Sequence, residues 1–357
     1  MSREAFHSSG KSGGRGLRLV FVATALIAGV LAYWMFDRYA RFADDPVPGL
    51  GADASLVVAH GDNFAGVLRK LHAQGMPADR DTEWQLLARQ LGAASRLQVG
   101  EYALRPGITP RQLLTDMRDG KVVRRRVTIV EGWTLRQLRA ALAKADALEQ
   151  ETAGLDGAAL MEALGHPGVH PEGRFLPETY FYTRGDSDLD ILKRAYDAME
   201  KALDAAWASR VEGLPLRDKD EALVLASIVE KETGIASERP QIAAVFLRRL
   251  EKGMRLQTDP TVIYGMGEAY AGNIRRTDLT RDTPYNTYTR AGLPPTPIAM
   301  PGADALQAVT HPAEGEALYF VAVGDGSGRH VFSRTLAEHQ AAVRAYLQRY
   351  RAQRRAE

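Results

Sequence analysis

The sequence predicts an α+β protein in which a single apolar N-terminal helix precedes a small α+β subdomain and a larger mixed α+β domain. Three observations support this prediction. An apolar run covers residues 19–36, a short strand–turn–helix unit occurs three times between residues 54 and 142, and amphipathic helical patterns follow from residue 187. A chain of 357 residues is long enough for two or three domains.

The N-terminal apolar run predicts a transmembrane helix over residues 17–36. Leu19 to Phe36 contains one Thr and no charge, and its length is close to the ~20 residues that a helix needs to cross a bilayer. Four basic residues and one acidic residue precede it, so the positive-inside rule leaves the N-terminus in the cytoplasm. A cleaved signal peptide is the alternative. It is disfavoured because the run ends in large residues (Tyr33, Trp34, Met35 and Phe36) and not in a small-residue cleavage site.

The segments that flank the predicted domains have no apolar periodicity. Residues 1–16, rich in Ser and Gly, predict a cytoplasmic tail without fixed structure. Residues 37–53 contain two Pro and two Gly and predict a juxtamembrane linker. Residues 335–357 predict a basic, solvated helix, and we place a basic tail at 346–357. These segments leave a subdomain at 54–125 and a domain at 126–345.

A strand, a glycine turn and a capped helix recur three times at the start of the exterior chain. In each copy an N-cap residue follows the turn glycine by two positions, and an apolar residue lies four positions beyond it. The strands are predicted at 56–60, 101–105 and 126–130, with N-caps at Asn63, Thr109 and Thr134. Three copies predict small α+β modules, but these units carry no chemistry by themselves.

The middle and the end of the chain add further predicted elements. Residues 143–170 have helical spacing, and residues 187–210 predict an amphipathic helix. The aromatic-dense segment 172–182 suits sugar rings or the edge of a core, and its composition favours the core edge. Residues 317–323 and 330–333 predict a hairpin around a glycine-rich turn. That turn precedes a strand and so lacks the context of a nucleotide-binding loop.

Composition and motif content exclude several classes of function. The net charge of +2 gives no reason to expect a nucleic-acid partner. The absence of cysteine excludes thiol catalysis and Cys-based metal sites. No His-Glu-x-x-His pattern of a zinc hydrolase occurs, and His311, His330 and His339 are interpreted as surface or core residues. No G-x-S-x-G elbow between a predicted strand and a predicted helix occurs, and no Walker sequence occurs. We expect no metal and no cofactor.

The most informative stretch is the apolar helix that ends in Glu230-Lys-Glu232-Thr-Gly234. Glu232 shares a face with Leu225, Ile228 and Val229, and burial among such side chains raises the pKa of a carboxyl. Gly234 lies just past the helix end, so the helix dipole also disfavours a charge on Glu232. A carboxyl that is protonated near neutral pH suits a general acid. The alternative is a helix-end carboxylate paired structurally with an Arg.

Polar, aromatic loops follow this helix at 255–265 and 282–295, and loops of this kind often contact ligands. One perturbed carboxyl with such loops is suited to cleaving a glycosidic bond. Most enzymes that do so use two carboxylates. One suffices where the sugar supplies its own nucleophile, as N-acetylmuramic acid can through its 6-hydroxyl.

Five motifs together resemble the endolytic murein transglycosylase family of bacterial inner membranes. They lie within 172–180, 226–233, 255–265, 285–288 and 292–295, and the likeness covers the anchor and about residues 50–345. A weaker likeness concerns the first unit, about 54–105, which is similar to a LysM-like glycan-binding module. The resemblance therefore implies a LysM-like subdomain at 54–125 and a catalytic domain at 126–345.

The resemblance implies a mechanism and a cellular setting. Glu232 matches the catalytic acid/base of the family, which cleaves the bond between N-acetylmuramic acid and N-acetylglucosamine and leaves a 1,6-anhydromuramic end without using water. The resemblance implies that five further residues either contact the glycan or orient Glu232: Gln257, Asp259, Thr261, Asn286 and Tyr288. The family also implies a single-pass inner-membrane protein with a periplasmic catalytic domain. Peptidoglycan synthases (penicillin-binding proteins) are the implied partners, and the implied role is to end nascent glycan strands.

Two other functions remain open from the sequence. The first is a muramidase-type hydrolase in which Asp259 or Glu230 is the second carboxylate. The second is a non-catalytic, peptidoglycan-binding scaffold of the cell-wall machinery, in which Glu232 has only a structural role.

Overall fold

The computed structural model describes residues 13–51 and 54–356, and in it the chain forms two units that divide between Val123 and Arg124. The predicted α+β class is confirmed, because helices alternate with short antiparallel strand pairs in this part of the chain. Residues 1–12 of the predicted tail lie outside the described residues, whereas 13–16 are helical and the tail prediction is wrong for them.

The first helix, α1 (Gly13–Asp44), is longer than the predicted transmembrane helix. The part from Arg18 to Asp44 is long and apolar enough to cross a membrane, by length and composition alone. The linker prediction is wrong for residues 37–44, which continue the helix into the core of the first unit. Tyr39, Phe42 and Ala43 recur at helical spacing and pack there. Pro46 lies just beyond the end of the helix, as is common after a helix terminus.

The rest of the first unit has the order strand, helix, helix, strand, helix. The two strands pair antiparallel, with Leu56 opposite Tyr102, and both side chains are buried. The side chains of Asn63 and Thr109 accept hydrogen bonds from the first turns of the helices that follow, as predicted. The likeness to a LysM module stays a prediction. The elements are β1 (Ser55–Val58), α2 (Phe64–Ala73), α3 (Asp81–Gln90), β2 (Gly100–Ala103) and α4 (Pro110–Asp119).

The second unit begins with another antiparallel strand pair, in which Val127 lies opposite Tyr180. Phe175, Tyr180 and Tyr182 are buried, so the core-edge interpretation of the aromatic segment is confirmed for these three rings. The side chain of Thr134 caps the next helix through the backbone N–H of Gln137. The elements are β3 (Arg125–Thr128), α5 (Leu135–Leu142), α6 (Gly157–Ala163) and β4 (Thr179–Tyr182).

A helical core follows, and it carries the central apolar helix of the sequence. The eight residues from Ala222 to Val229 are all buried, so that helix is enclosed on every side. The last helix of the group packs against three earlier ones. The helices are α7 (Asp188–Ala208), α8 (Lys219–Glu232), α9 (Arg239–Glu251), α10 (Asp259–Met266), α11 (Arg276–Thr280) and α12 (Ala303–Thr310).

The predicted hairpin is confirmed, with β5 (Tyr319–Ala322) antiparallel to β6 (His330–Ser333). The final helix, α13 (Leu336–Ala356), packs on it. The basic helix predicted at 335–357 is confirmed for 336–356, and the basic tail placed at 346–357 continues it as far as residue 356. Nη1 of Arg349 donates to the Val323 carbonyl at 2.8 Å, and the Tyr346 ring lies against Gly324, where a Cβ would meet it at 2.7 Å. Glu357 lies outside the described residues.

Candidate active site

Glu232 is the last residue of α8, and the chain leaves the helix immediately after it. Thr233 has extended backbone angles (φ −146°, ψ 136°), and Gly234 follows just past the helix end, as expected. The side chain of Glu232 is partly exposed at this terminus. Its Oε1 accepts a hydrogen bond from the hydroxyl of Thr258, the residue before α10. The carboxyl therefore has a neutral partner, and it forms no direct ion pair with any residue in the described part of the chain.

The surroundings of Glu232 favour its protonated form. Loss of solvation is the largest cause that raises the pKa of Glu232, the negative charge of Asp259 adds to it, and the net pKa is about 7. The Thr258 hydroxyl and the positive charges of His330 and Arg249 act in the opposite direction. A carboxyl with a pKa near 7 can both donate and accept a proton at neutral pH, as general acid–base catalysis requires.

Glu230, two residues earlier, has a different environment. Its side chain is 5% exposed, its Oε1 accepts from Arg239 at 3.0 Å, and its Oε2 accepts from the Gly302 backbone N–H at 3.0 Å. Arg239 is 7% exposed and also pairs with Glu131 at 3.1 Å and with Asp304 at 3.4 Å. The structural ion pair considered for Glu232 is therefore present at Glu230.

The helical positions of Glu230 and Glu232 in the sequence do not distinguish their environments. The apolar face predicts an interior position for Glu232, but α8 is buried all round and Glu230 also lies in the interior. Burial raises the pKa of Glu230 as well, with the Gly302 N–H and Arg239 opposing it. The two residues differ in their partners, which a helical projection does not report.

Thr258 is held in place by a small network of hydroxyl groups. Its backbone N–H donates to Oγ1 of Thr287 at 3.1 Å, and its carbonyl accepts from Oγ1 of Thr261 at 2.8 Å. The Thr261 and Thr287 hydroxyls lie 2.9 Å apart and are hydrogen-bonded. Thr261 is fully buried. Thr261, which is one of the predicted site residues, therefore supports Thr258, whose hydroxyl contacts Glu232.

Gln257 precedes Thr258 and has an unusual backbone for a residue with a side chain. Its φ of +51° lies in the left-handed region, which residues other than glycine seldom adopt. Its N–H donates to the Thr287 carbonyl at 3.2 Å, and its side chain is exposed. Uncommon backbone angles of this kind often mark functional sites.

Asp259 and Tyr288 form a hydrogen-bonded pair beside Glu232. The Tyr288 hydroxyl donates to Oδ1 of Asp259 at 2.5 Å, and the Tyr288 carbonyl accepts from Arg255 at 3.0 Å. Burial and the neighbouring Asp259 raise the pKa of the Tyr288 phenol. Because Asp259 is exposed, this pair presents polar atoms to solvent next to the carboxyl.

Asn286 is buried and organises the loop after α11. Its Nδ2 donates to the carbonyls of Asp278, Leu279 and Arg281 at 3.1, 3.1 and 2.6 Å, and its Oδ1 accepts from the Tyr288 N–H at 2.9 Å. Both ends of the amide are thus bonded within the protein, and Asn286 positions Tyr288. The structure brings all six predicted site residues into one neighbourhood, with Thr261 and Asn286 in its buried support.

Comparison with known proteins identifies the family. The model of the YceG-like family matches residues 56–345. The chain belongs to the YceG-like family. The endolytic murein transglycosylase of Bacillus subtilis strain 168 is 32% identical over 271 residues, which are 71% of this chain and 74% of that protein. These matches confirm the resemblance inferred from the motifs.

Two more proteins extend the comparison of this YceG-like chain. The endolytic murein transglycosylase of Streptococcus pneumoniae strain D39 is 28% identical over 284 residues. Those residues are 68% of this chain but 51% of that relative, so the chain spans about half of its length. A crystal structure of a putative yceG-like protein from Listeria monocytogenes shares 28% identity with a TM-score of 0.51. The match covers 81% of this chain and 98% of that one.

Three residues near Glu232 in this YceG-like structure were not among the predicted site residues: Thr258, Arg249 and His330. Arg249 is buried, and it donates to the carbonyls of Leu318 and Leu256 at 2.7 and 2.6 Å. Burial lowers the pKa of its guanidinium. The segment 255–265 contains Thr258, but a motif cannot report which hydroxyl faces the carboxyl.

His330 begins β6, and its interpretation as a surface or core residue is incomplete. Its ring packs edge-on against Phe320 with centroids 5.5 Å apart, as a core residue does. Its Nδ1 also lies 2.8 Å from Oε2 of Glu238, and its backbone N–H donates to the same carboxylate at 3.1 Å. Glu238 thereby fixes an imidazole whose charge lowers the pKa of Glu232. No sequence spacing signals this, because His330 lies far along the chain from Glu232.

Glu172 is another buried carboxyl, and it lies in the aromatic motif of the family likeness. Its Oε1 accepts from the Leu135 N–H at 2.9 Å and its Oε2 from the Tyr264 hydroxyl at 3.1 Å, and burial raises its pKa to about 7. It borders a cleft of about 550 Å³. Tyr264 and Asp259 are about 8 Å apart along α10, at ~1.5 Å per residue. Glu172 therefore fixes the far end of the helix whose first turn adjoins Glu232.

Proposed function

We propose that this YceG-like protein is an endolytic murein transglycosylase. It cleaves the β-1,4 bond between N-acetylmuramic acid and N-acetylglucosamine within peptidoglycan strands, and it leaves a 1,6-anhydromuramic end without consuming water. The observation that carries the proposal is the Glu232 carboxyl at the end of α8, with a pKa of about 7 and a hydroxyl as its partner. The relatives named endolytic murein transglycosylase support it.

The reaction needs one carboxyl that acts twice. Protonated Glu232 donates its proton to the glycosidic oxygen as the bond from that oxygen to C1 of the muramic sugar breaks. The resulting carboxylate then removes the proton of the muramic 6-hydroxyl, and the 6-oxygen bonds to C1. Glu232 loses one proton to the leaving hydroxyl and gains another from the muramic 6-hydroxyl, so it ends as it began. Positive charge from Arg249 and His330 favours the carboxylate that exists between the two steps.

The partners of the neighbouring carboxyls favour this mechanism over a hydrolase with two carboxylates. Glu230 is bonded to Arg239 and to the Gly302 N–H, so its two oxygens are occupied. Asp259 is exposed but accepts the hydroxyl of Tyr288. The hydrolase alternative therefore depends on Asp259 alone as the group that activates water.

The other predicted residues divide into two roles. The first role is to contact the glycan. Gln257 and Asp259 have it because their side chains are exposed, and Tyr288 has it because its hydroxyl is bonded to Asp259. Thr261 and Asn286 orient the site from below, through Thr258 and through the loop that carries Tyr288.

The proposal extends to the cellular setting, and α1 supports it. The protein is anchored in the cell inner membrane by one span, with the N-terminus in the cytoplasm and the catalytic domain in the periplasm. The support is the exposed apolar surface of residues 19–36 and its continuation into the core, where Phe42 and Ala43 are buried. From there the enzyme acts on nascent strands beside the peptidoglycan synthases and ends their elongation.

The products of intact sacculi test the reaction. Purified sacculi are incubated with the full-length enzyme in detergent, and the fragments are analysed by mass spectrometry. New 1,6-anhydromuramic ends within long fragments are expected. New reducing ends contradict the transglycosylase and favour the hydrolase. No new ends of either kind, from protein that still binds sacculi in a pull-down, favours the scaffold.

A further inference from the structure

A mainly apolar cleft of about 570 Å³ lies in the first unit between the end of the apolar helix α1 and the helix α3. Leu86, on α3, borders it and is 54% exposed, although the opposite side of α3 buries Trp84 and Leu87. Three consecutive residues of α1 face the same cleft and are still more exposed. The lining residues are Trp34, Met35, Phe36, Arg38, Tyr39, Thr82, Glu83 and Leu86.

The two helices that form this cleft are held to each other by specific contacts. The Tyr39 hydroxyl donates to Oε1 of Gln90 at 2.6 Å, and Arg38 pairs with Glu83 at 3.2 Å. The Phe42 ring meets the ring of Trp84 edge-on, with centroids 5.5 Å apart. Because these contacts tie α3 to the last turns of α1, the height of α3 is set by the position of α1.

The length of the apolar segment determines what surrounds the cleft. A helix over residues 19–36 is about 27 Å long at a rise of ~1.5 Å per residue. The hydrocarbon core of a bilayer is about 30 Å thick. If this segment spans the bilayer, Trp34 and Phe36 lie at its boundary, where aromatic residues are enriched. Leu86 lines the same cleft as these two residues and so lies at the same height.

We propose that α3 rests in the outer interface of the bilayer and that phospholipid fills the cleft, with Leu86 among the lipid chains. This inference rests on the proposed membrane anchor. The occupant is lipid because the apolar surface of the cleft is continuous with the exposed surface of α1. The polar lining residues Arg38, Thr82 and Glu83 suit the headgroup layer. The first unit is then held against the membrane by two helices.

Site-specific labels test this inference, and the chain is convenient because it contains no native cysteine. Leu86→Cys and Val99→Cys form a matched pair, since both side chains belong to the first unit and both are 54% exposed. Leu26→Cys, in the middle of the apolar segment, reports the anchor itself. Each full-length variant receives a nitroxide label and is reconstituted into vesicles of phosphatidylethanolamine and phosphatidylglycerol.

The measurement is the accessibility of the label to oxygen, which concentrates in lipid, and to a water-soluble nickel complex. With the label at 26 deep in lipid, the label at 86 is expected to be at least threefold less accessible to nickel than the label at 99. Equal nickel accessibility at 86 and 99, with 26 still in lipid, overturns the inference and leaves the anchor standing. A label at 26 that is accessible to nickel overturns the anchor and the inference together.

Discussion

Glu230 and Glu232 lie two residues apart at the end of the same helix, and their surroundings give them different chemistry. Burial raises the pKa of both. Glu230 is bonded to a buried guanidinium and to a backbone N–H, which fix it as one member of an ionic cluster. Glu232 is bonded to the hydroxyl of Thr258, and the cations near it, Arg249 and His330, make their close contacts with other groups.

This difference shows what burial alone leaves undecided. A carboxyl with a full cationic partner stays ionised, because losing that charge would leave a buried Arg unpaired. A carboxyl with a hydroxyl partner and cations at a distance can exist in both states at similar free energy. Four predictions test the comparison, from the largest expected effect to the smallest.

Glu232→Gln is expected to lower kcat/KM by about 10³-fold, within the range for loss of a general acid–base group. The amide keeps the shape of the side chain and can still accept from Thr258, but it cannot donate and recover the proton. The measurement is the rate of release of anhydromuropeptides from sacculi. Thermal unfolding provides the control and is expected to change little. Activity within tenfold of the parent enzyme contradicts the proposed role.

Glu230→Gln is expected to act on stability, lowering the free energy of unfolding by about 3 kcal/mol, as when a buried pair loses one partner. Arg239 keeps Glu131 and Asp304, but these are 46% and 73% exposed and compensate it less well. Urea unfolding followed by circular dichroism measures the loss. A variant of unchanged stability that is catalytically dead would instead place Glu230 in the chemistry, as the hydrolase alternative requires.

Thr258→Val removes the hydroxyl bonded to Glu232 at nearly constant volume. A hydrogen bond to a charged group contributes about 2 kcal/mol, so kcat/KM is expected to fall roughly 30-fold. Because this bond lowers the pKa of Glu232, the alkaline limb of the activity profile is expected to move to higher pH. Thr258→Ser keeps a hydroxyl and is the matched control. If Ser and Val behave alike, the hydroxyl is not the relevant group.

The pH dependence of activity is the smallest of the four expected effects. Its direction is set by the charges that shift the pKa of Glu232. The parent activity is expected to fall as pH rises through about 7, the pKa of Glu232, because the acid must be protonated to start the reaction. His330→Gln removes a positive charge that lowers this pKa, so the alkaline limb moves up. Asp259→Asn removes a negative charge that raises it, so the limb moves down. A shift of the alkaline limb in the same direction for both variants would contradict one of the two assignments and with it this electrostatic account of the Glu232 pKa.

Local patterns made part of this structure predictable. Thr134 and Gln137 form a capping box, which is a short-range signal, and α5 begins at Leu135 as predicted. The sequence indicates Glu232 as a candidate catalytic residue, because an apolar helix followed by a glycine places its last carboxylate at the helix terminus. The helix α8 ends at this residue. In the linker, the prolines and glycines at 46–51 concealed the helical spacing of Tyr39, Phe42 and Ala43 just before them.

The partners of the site could not be predicted because they come from segments distant in the chain. Which of Glu230 and Glu232 meets Arg239 depends on how α9 packs against the end of α8, and sequence spacing does not encode that packing. The same holds for His330, which is positioned by Glu238 and Phe320. Asn286 shows the reverse case: a polar loop residue that suited a ligand contact uses its amide on the protein backbone.

The hairpin β5–β6 and the final helix α13 are the last of the described elements to be synthesised, and this order affects when the site is complete. His330 reaches the neighbourhood of Glu232 only when β6 has paired, and α13 then secures the turn through Arg349 and Tyr346. A nascent chain that has emerged only as far as residue 316 already contains Glu232 but lacks this whole segment. The electrostatic surroundings of Glu232 are therefore complete only when the hairpin that carries His330 has folded.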